Sequence, residues 1–318
     1  MLHRDRHPSD DTDGRLAVAE TTVTRAVLEA ARETAVRNGD RAAVEGPHET
    51  LTFSRFAAVV PAAAAGLSRQ GVLPGDVGAV HLSRPGDLAL ALHAITAAGA
   101  VPLPLSPGGT AGELAALMSE RRARFLLTDG ELAAVSMAAT ERSYVRQVFA
   151  FGEVPGATAF GRLVAAGADA EPAGRFAGTQ VDPLRDLALL LGDPREEFTH
   201  ADRLAGLHRL AGAVGITASD VLACRAGDLP MPIWIGLIDL CLLHGATFAG
   251  VPAPGPLLTA AGRSAATIAI VSPAGLHALA HDHAAPHEGL RLLVTGVTDP
   301  ETVQACRDRH GWTITPLA

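Results

Sequence analysis

The chain has 318 residues, of which 48% are hydrophobic and 4% aromatic, so it can bury a sizeable core built mainly of Ala, Leu and Val. Its formal net charge of −8 argues against nucleic acid or an anionic membrane as the main partner. All 26 basic side chains are arginines. The lack of lysine excludes every mechanism that depends on one, such as a Schiff base or a lysine general base.

The ends and the apolar runs of the chain bear on its location. Residues 1–20 are polar and lack the apolar core of a signal peptide, so we predict a disordered tail. The three cysteines are far apart and show no CxxC spacing, so we expect neither disulfides nor a zinc ribbon. A cytoplasmic protein fits this use of cysteine best. The most apolar run, 229–243, is short and contains Asp239, so it predicts a buried helix and no membrane span.

Helix-like and strand-like segments alternate along the chain. In the first half, apolar periodicity and turn signals predict helices at 26–37, 53–67, 87–98 and 113–122, and strands at 42–45, 77–82, 100–105 and 125–128. In the second half they predict strands at 187–191, 221–224, 247–251, 267–271, 291–294 and 312–315, and helices at 199–214, 233–243, 257–263, 273–280 and 300–310.

The alternation indicates the fold class. Strands that alternate with helices are typical of βαβ units, so we predict an α/β fold of two doubly wound, mostly parallel lobes. The Gly- and Ala-rich region 155–183 is the predicted seam, with a first lobe at 21–160 and a second lobe at 161–318. Thr52 and Thr199 stand where a helix needs an N-cap.

Short motifs follow one another in a fixed order across nearly the whole chain. They are LTF at 51–53, AGL at 65–67, GVLPGDV at 71–77, HAITAAGAVPL at 93–103, LPMPIWIGL at 229–237, GAT at 245–247 and LRLLVTG at 290–296. In this order they resemble the adenylate-forming superfamily, which includes acyl-CoA synthetases, aryl and fatty acyl-AMP ligases and peptide-synthetase adenylation domains. The resemblance implies the two α/β lobes of that family's large N-terminal domain.

The resemblance also implies a substrate pocket. The segment after LP at 229–230 lines the acyl pocket in the family. The family's adenine shelf follows the TG at 295–296 and is reduced here to residues 296–299. On these motifs, the expected substrate-binding residues are Ile233, Trp234, Gly236, Asp239, Thr295 and Gly296.

The phosphate-binding part of the family pattern is missing. The family holds the triphosphate of ATP with a loop rich in glycine and hydroxyl side chains that also carries a lysine. Here residues 192–198 contain one glycine, no serine or threonine and three acidic side chains, which repel a triphosphate. The sequence stops at residue 318, before the family's GYGxTE motif, so we also expect the small C-terminal domain with its catalytic lysine to be absent.

These departures predict a catalytically degenerate homologue and not an active AMP-forming ligase. We expect a binding or accessory protein of acyl, aryl or secondary metabolism, with no catalytic residue, no cofactor and no metal ion. The expected partners are an acyl or aryl ligand, an active homologue or a carrier protein. Two alternatives remain open: reassigned chemistry on an acyl thioester or other small molecule in the old pocket, and one part of a split ligase.

Other residues carry two interpretations each. Reassigned chemistry would need Asp239, Cys241 or His244 to face the pocket, whereas a buried inert cysteine is the usual case. We expect Asp239 to pair with an arginine such as Arg225 or to face a cavity.

Two clusters are expected to be ordinary surface. His277, His281, His283 and His287 fall within eleven residues and the first two share a helix face, but a solvated helix end is favoured over a metal site. Arg121, Arg122 and Arg124 predict a solvated basic surface, with docking of an acidic carrier protein as the alternative.

Overall fold

The computed structural model describes residues 21–47, 49–168, 181–192, 196–251, 257–281 and 289–317. The helices in these ranges are α1 (Val23–Asn38), α2 (Phe53–Arg69), α3 (Pro85–Ala97), α4 (Ala111–Glu120), α5 (Ala133–Thr140), α6 (Phe160–Ala168), α7 (His200–Val214), α8 (Met231–His244), α9 (Leu257–Arg263), α10 (Pro273–Ala280) and α11 (Pro300–His310). The strands are β1 (Ala42–Glu45), β2 (Thr50–Thr52), β3 (Val77–His81), β4 (Val101–Pro104), β5 (Phe125–Asp129), β6 (Gln147–Phe151), β7 (Thr158–Ala159), β8 (Leu187–Leu190), β9 (Glu197–Thr199), β10 (Val221–Arg225), β11 (Thr247–Val251), β12 (Ile268–Val271), β13 (Arg291–Thr295) and β14 (Thr313–Leu317).

The strands form two large sheets and one hairpin. The first sheet has five strands in the order β4-β3-β5-β6-β7, and the second has seven in the order β14-β13-β12-β10-β11-β1-β2. Neighbouring strands in both sheets are parallel except for β1 and β2, which are antiparallel. Strands β8 and β9 form a separate antiparallel hairpin, with β8 packed beside β4. This architecture confirms the predicted α/β fold with mostly parallel sheets.

The sheets are covered by helices on both faces, as their continuous apolar strands require. All five residues of β5 and all four of β12 are buried. Alternate residues of a strand enter different cores, so Leu222 packs with the cluster that contains α8, whereas Ala223 packs with α9 and α10.

Within the described ranges, no helix is both long and apolar enough to cross a membrane.

Local capping chemistry sets several element boundaries. The Thr52 and Thr199 side chains accept from the backbone N–H groups of Arg55 and Asp202, which confirms both predicted N-caps. Helices α5 and α6 and strand β6 were not expected from the sequence. The residue before α5, Leu132, makes no side-chain cap hydrogen bond, so α5 has no start signal in its sequence.

The two sheets do not divide the chain at a single point. Strand β1, in the first half of the sequence, pairs in parallel with β11, with Val44 opposite Phe248. The seven-stranded sheet therefore contains strands from both sides of the expected boundary at residue 160. The division into 21–160 and 161–318 stays a prediction for the lobes as folding units.

Helices α2 and α6 approach each other so closely that two glycines are required. A Cβ atom at Gly167 would lie 1.7 Å from the Ala62 carbonyl oxygen, and one at Gly66 would lie 2.1 Å from the Leu163 carbonyl oxygen. Neither backbone oxygen can move without shifting its helix. The contact therefore fixes α6 against α2 by backbone packing.

We expect Gly167→Ala to lower the free energy of unfolding by about 1–3 kcal/mol, because the added methyl group overlaps the α2 backbone. Gly161→Ala is the matched control on the same helix, since no atom lies within 4 Å of a Cβ at that position. Urea unfolding followed by circular dichroism measures both. Equal effects of the two substitutions would contradict the close-packing explanation.

Candidate functional site

A cleft lies between helices α7 and α8, at the carboxyl ends of β13 and β14. Its volume is about 470 Å³. The β8–β9 hairpin closes one side through Leu189 and Phe198. Most of the remaining lining is apolar and comes from Leu207, Leu210, Ile235 and other residues of the two helices. The site is therefore a largely apolar pocket with a few polar groups, as small-molecule sites usually are.

The structure brings together five of the six expected substrate-binding residues. The residues that line the cleft are Ile233, Gly236, Asp239, Thr295 and Gly296. Trp234 lies elsewhere: its ring packs edge-on against Phe248 with a centroid distance of 5.0 Å, and it does not line the cleft. Substrate binding by these residues stays a prediction, but their convergence on one cavity follows from the packing of α8 near the end of β13.

Asp239 lies at the base of the cleft in a buried polar network. One oxygen of its carboxylate accepts a hydrogen bond from the Arg203 guanidinium of α7, and the two groups form an ion pair. The other oxygen lies 3.0 Å from Nε2 of His93 on α3. Arg203 also donates to the Ala188 carbonyl oxygen at 3.3 Å. Asp239 thus pairs with an arginine and faces a cavity, as expected, but the arginine is Arg203; Arg225, the example given, pairs with Asp228 three residues along the chain.

Two further helices, α1 and α2, contact His93 in this network. Nδ1 of His93 lies 3.0 Å from the Thr24 hydroxyl of α1, and the Phe56 ring of α2 packs edge-on against the imidazole. Burial by itself raises the pKa of Asp239, but Arg203 and His93 outweigh it, so the pKa is held below its usual value. The base of the cleft is therefore charge-balanced and offers no uncompensated charge to a ligand.

We expect Asp239→Asn to destabilise the protein by about 3–5 kcal/mol, because the Arg203 charge is then buried without its counter-charge. The double variant Asp239→Leu/Arg203→Met removes both charges and should recover more than half of this loss. Urea unfolding at neutral pH measures the cycle. Strictly additive losses would show that the two side chains do not interact energetically.

The loop between β8 and α7 is a short hairpin. The Leu191 N–H donates to the Glu196 carbonyl oxygen at 2.9 Å and closes it. Residues 193–195 lie outside the described ranges. Gly192 is packed against α4, since a Cβ there would lie 2.4 Å from a Leu117 methyl group. The loop's described glycine therefore serves packing.

Arg121 ties this hairpin to α4. Its side chain is buried and pairs with Glu197 at 2.9 Å, and it also donates to the Leu191 carbonyl oxygen. The expectation that Arg121 belongs to a solvated basic surface is therefore wrong. The guanidinium bridges both strands of the hairpin, because Leu191 follows β8 and Glu197 begins β9.

A family model described as AMP-binding enzyme matches residues 31–188. The chain belongs to the adenylate-forming superfamily. Naringenin synthase of Pestalotiopsis fici is 36% identical over 112 residues, which is 35% of this chain and 4% of that protein. A long-chain-fatty-acid-CoA ligase from Archaeoglobus fulgidus has a TM-score of 0.77 at 19% identity, covering 90% of this chain and 61% of that chain. A benzoate CoA ligase from Burkholderia xenovorans LB400 has a TM-score of 0.77 at 20% identity, covering 93% of this chain and 60% of that chain.

These likenesses support the fold across the described chain, and they cover only part of the relatives. The chain spans about three-fifths of the two ligase structures. As a member of the adenylate-forming superfamily, it has the α/β architecture of their N-terminal region, which confirms the fold that the motifs implied.

Among the described residues, the hairpin offers few groups of the kind that hold the triphosphate in adenylate-forming enzymes. The described loop residues carry no hydroxyl group before Thr199, whose side chain caps α7. Glu196 adds negative charge beside the hairpin, where a triphosphate needs donors, and the carboxylate of Glu197 is already paired with Arg121. The Leu191 N–H, which could otherwise face a phosphate, closes the hairpin.

Two other candidate nucleophiles or bases do not line the cleft. Cys241 is fully buried, and burial raises the pKa of its thiol, so it is an inert core cysteine. Burial lowers the pKa of His244, which also lies away from the cleft lining.

His281 directs its Nδ1 to the His277 carbonyl oxygen at 2.8 Å. The remaining two histidines of that cluster, His283 and His287, lie outside the described residues.

A second polar cluster, outside the cleft, surrounds the start of α3. Burial, together with the carboxylates of Glu49 and Asp129, raises the pKa of Asp87 to about 7, although Arg84 and Arg55 oppose the shift. Arg84 Nε lies 3.2 Å from Asp87 and its Nη1 lies 3.9 Å from Glu49. Two carboxylates thus share the Arg84 guanidinium and Asp129 adds a third negative charge nearby, which favours a proton on Asp87.

The raised pKa of Asp87 makes stability depend on pH. The folded state holds this proton up to about pH 7, whereas the unfolded chain releases it near pH 4, so the contribution of Asp87 declines as pH rises between these values. We expect the free energy of unfolding of Asp87→Asn to rise by about 1–2 kcal/mol relative to that of the wild type between pH 5.5 and 7. Above pH 7 the difference should stay constant. Urea unfolding across this range measures the difference. A constant difference would show that Asp87 does not titrate there.

Proposed function

We propose that this member of the adenylate-forming superfamily does not activate carboxylates with ATP and acts by binding an acyl or aryl group in the cleft between α7 and α8. The observation that carries the proposal is the β8–β9 hairpin. By the order of the motifs it corresponds to the superfamily's phosphate-binding loop, and among its described residues the Leu191 N–H closes the hairpin and the Thr199 side chain caps α7.

The shape and chemistry of the cleft support an apolar ligand. A volume of about 470 Å³ suits a medium-sized acyl chain or an aromatic ring. The Asp239–Arg203 pair at its base is neutralised internally, so an apolar group buried there faces no unpaired charge. Two ligases of similar fold are described as acting on long-chain fatty acids and on benzoate, which are ligands of these two classes.

A binding role fits an accessory protein beside an active homologue or a carrier protein in the cytoplasm. Reassigned chemistry in the same pocket is less well supported, because Cys241 and His244 do not line the cleft. Asp239 does line it, but both of its oxygens are engaged by Arg203 and His93.

The ATP part of the proposal is tested on the pure protein. We expect no saturable binding of Mg-ATP by calorimetry and no carboxylate-dependent exchange of pyrophosphate into ATP, because the hairpin offers carboxylates in place of phosphate donors. Mg²⁺-dependent ATP binding at micromolar concentration would overturn it. Exchange that appears only on adding a second protein would instead support a split ligase.

The ligand part is tested by filling the cleft. Gly236→Leu should weaken binding of decanoate and benzoate, measured by displacement of an anilinonaphthalene dye, by at least about tenfold, because its side chain enters the cavity. Gly212→Leu is the control, since Gly212 is exposed on α7 with open space at its Cβ. Equal affinities in both variants would contradict binding in this cleft.

A further inference from the structure

The amino-terminal edge of the five-stranded sheet carries arginines around an exposed tyrosine. Arg122 and Arg124 precede β5, and Arg142, Tyr144 and Arg146 precede the neighbouring strand β6. The Arg146 N–H donates to the Arg124 carbonyl oxygen at 2.9 Å, so the two segments enter the sheet side by side. We name these five residues the arginine–tyrosine edge. None of them lines the cleft.

The side chains of this edge are exposed and most are unengaged. Tyr144 keeps 66% of its surface accessible. Arg122, Arg142 and Arg146 are exposed, and among the described residues no hydrogen bond or ion pair holds their guanidinium groups. Arg124 pairs with a carboxylate of its own chain. Tyrosine and arginine are the residue types enriched at the energetic centres of protein interfaces.

The backbone at Arg122 is unusual for its residue type. Its φ angle is +54°, in the left-handed region, directly after the C-cap of α4. Glycine is the usual residue at such a position, because other side chains strain the backbone there. Its exposed side chain gains no burial in return. A contact of that side chain outside the chain would account for arginine at this position.

The sign of the charge selects the partner. The chain as a whole has a formal net charge of −8, whereas this edge holds four arginines beside three acidic residues. Of these three, Asp76 is already paired with Arg124 at 2.9 Å, and the other two are Glu120 and Glu141. A long polyanion would be repelled by the net negative charge of the whole protein. A short acidic segment bound at this edge lies within one screening length of the edge alone, so the arginines there attract it.

We propose that the arginine–tyrosine edge binds an acidic segment of a partner protein. The planar guanidinium groups of Arg122, Arg142 and Arg146 pair with carboxylates of the segment, in the bidentate geometry that arginine favours. Tyr144 supplies a rigid, partly apolar contact between them. This surface is separate from the cleft, so the proposal does not depend on the ligand bound there.

The test uses the full chain and a fluorescein-labelled peptide of glutamate and alanine, with fluorescence anisotropy as the readout. Binding should be visible at about 50 mM salt and weaken as salt screens the charges. Arg122→Glu/Arg142→Glu/Arg146→Glu should weaken it by at least about tenfold, and Tyr144→Ala by about threefold. The control reverses the same number of exposed arginines elsewhere, in Arg32→Glu/Arg162→Glu/Arg263→Glu, and should retain most of the affinity.

Three results would overturn the proposal: no peptide binding at low salt, an equal loss in the control variant, or equally tight and edge-dependent binding of a DNA oligonucleotide of the same charge. The variant Arg122→Gln/Arg142→Gln/Arg146→Gln, checked by thermal melting, should also lose peptide affinity if the charges act directly. Ligand binding in the cleft should be unchanged in every edge variant, so failure here is distinguishable from failure of the proposed function.

Discussion

One buried carboxylate constrains the arrangement of the helices around the cleft. Asp239 lies in the middle of an apolar helix, where an isolated negative charge would be very unfavourable. Arg203 and His93 supply the compensating groups from two other helices, and His93 in turn contacts Thr24. The polar network therefore requires α1, α3, α7 and α8 to meet at one point, and the cleft is the space left above that point.

This arrangement connects stability with ligand preference. Removing one partner of the pair would leave an unpaired buried charge, so neither Arg203 nor Asp239 can be replaced alone without a loss of stability. Because the charges of Asp239 and Arg203 cancel inside the protein, the base of the cleft can be apolar although four ionisable side chains, Asp202, Arg203, Arg209 and Asp239, line the cleft. On its other side, Arg121 secures the hairpin that borders the cleft. Two internal ion pairs thus hold the cleft walls, and neither leaves a charge free for a phosphate.

Local signals in the sequence predicted much of the fold and part of the site. The capping threonines and the apolar strands marked most elements, because these signals depend on neighbouring residues only. Five of the expected substrate-binding residues line one cavity because the fold brings two motifs together, and their role in binding stays a prediction. The His93–Asp239 contact joins positions 146 residues apart, and no local pattern predicts it. Arg121 was misassigned because its arginine-rich surroundings resemble a solvated surface, whereas the hairpin buries it.

The pairing of β1 with β11 has a consequence for how the chain folds. Val44 must find Phe248, about two hundred residues later, before the seven-stranded sheet is complete. Such long-range pairings slow folding, because loop closure is unfavourable until the contacts form. During synthesis, β1 and β2 emerge long before their partner and must wait for it. Strand β1 is thus made well before β11, the strand that completes its pairing, so we expect β1 to take its place in the sheet late.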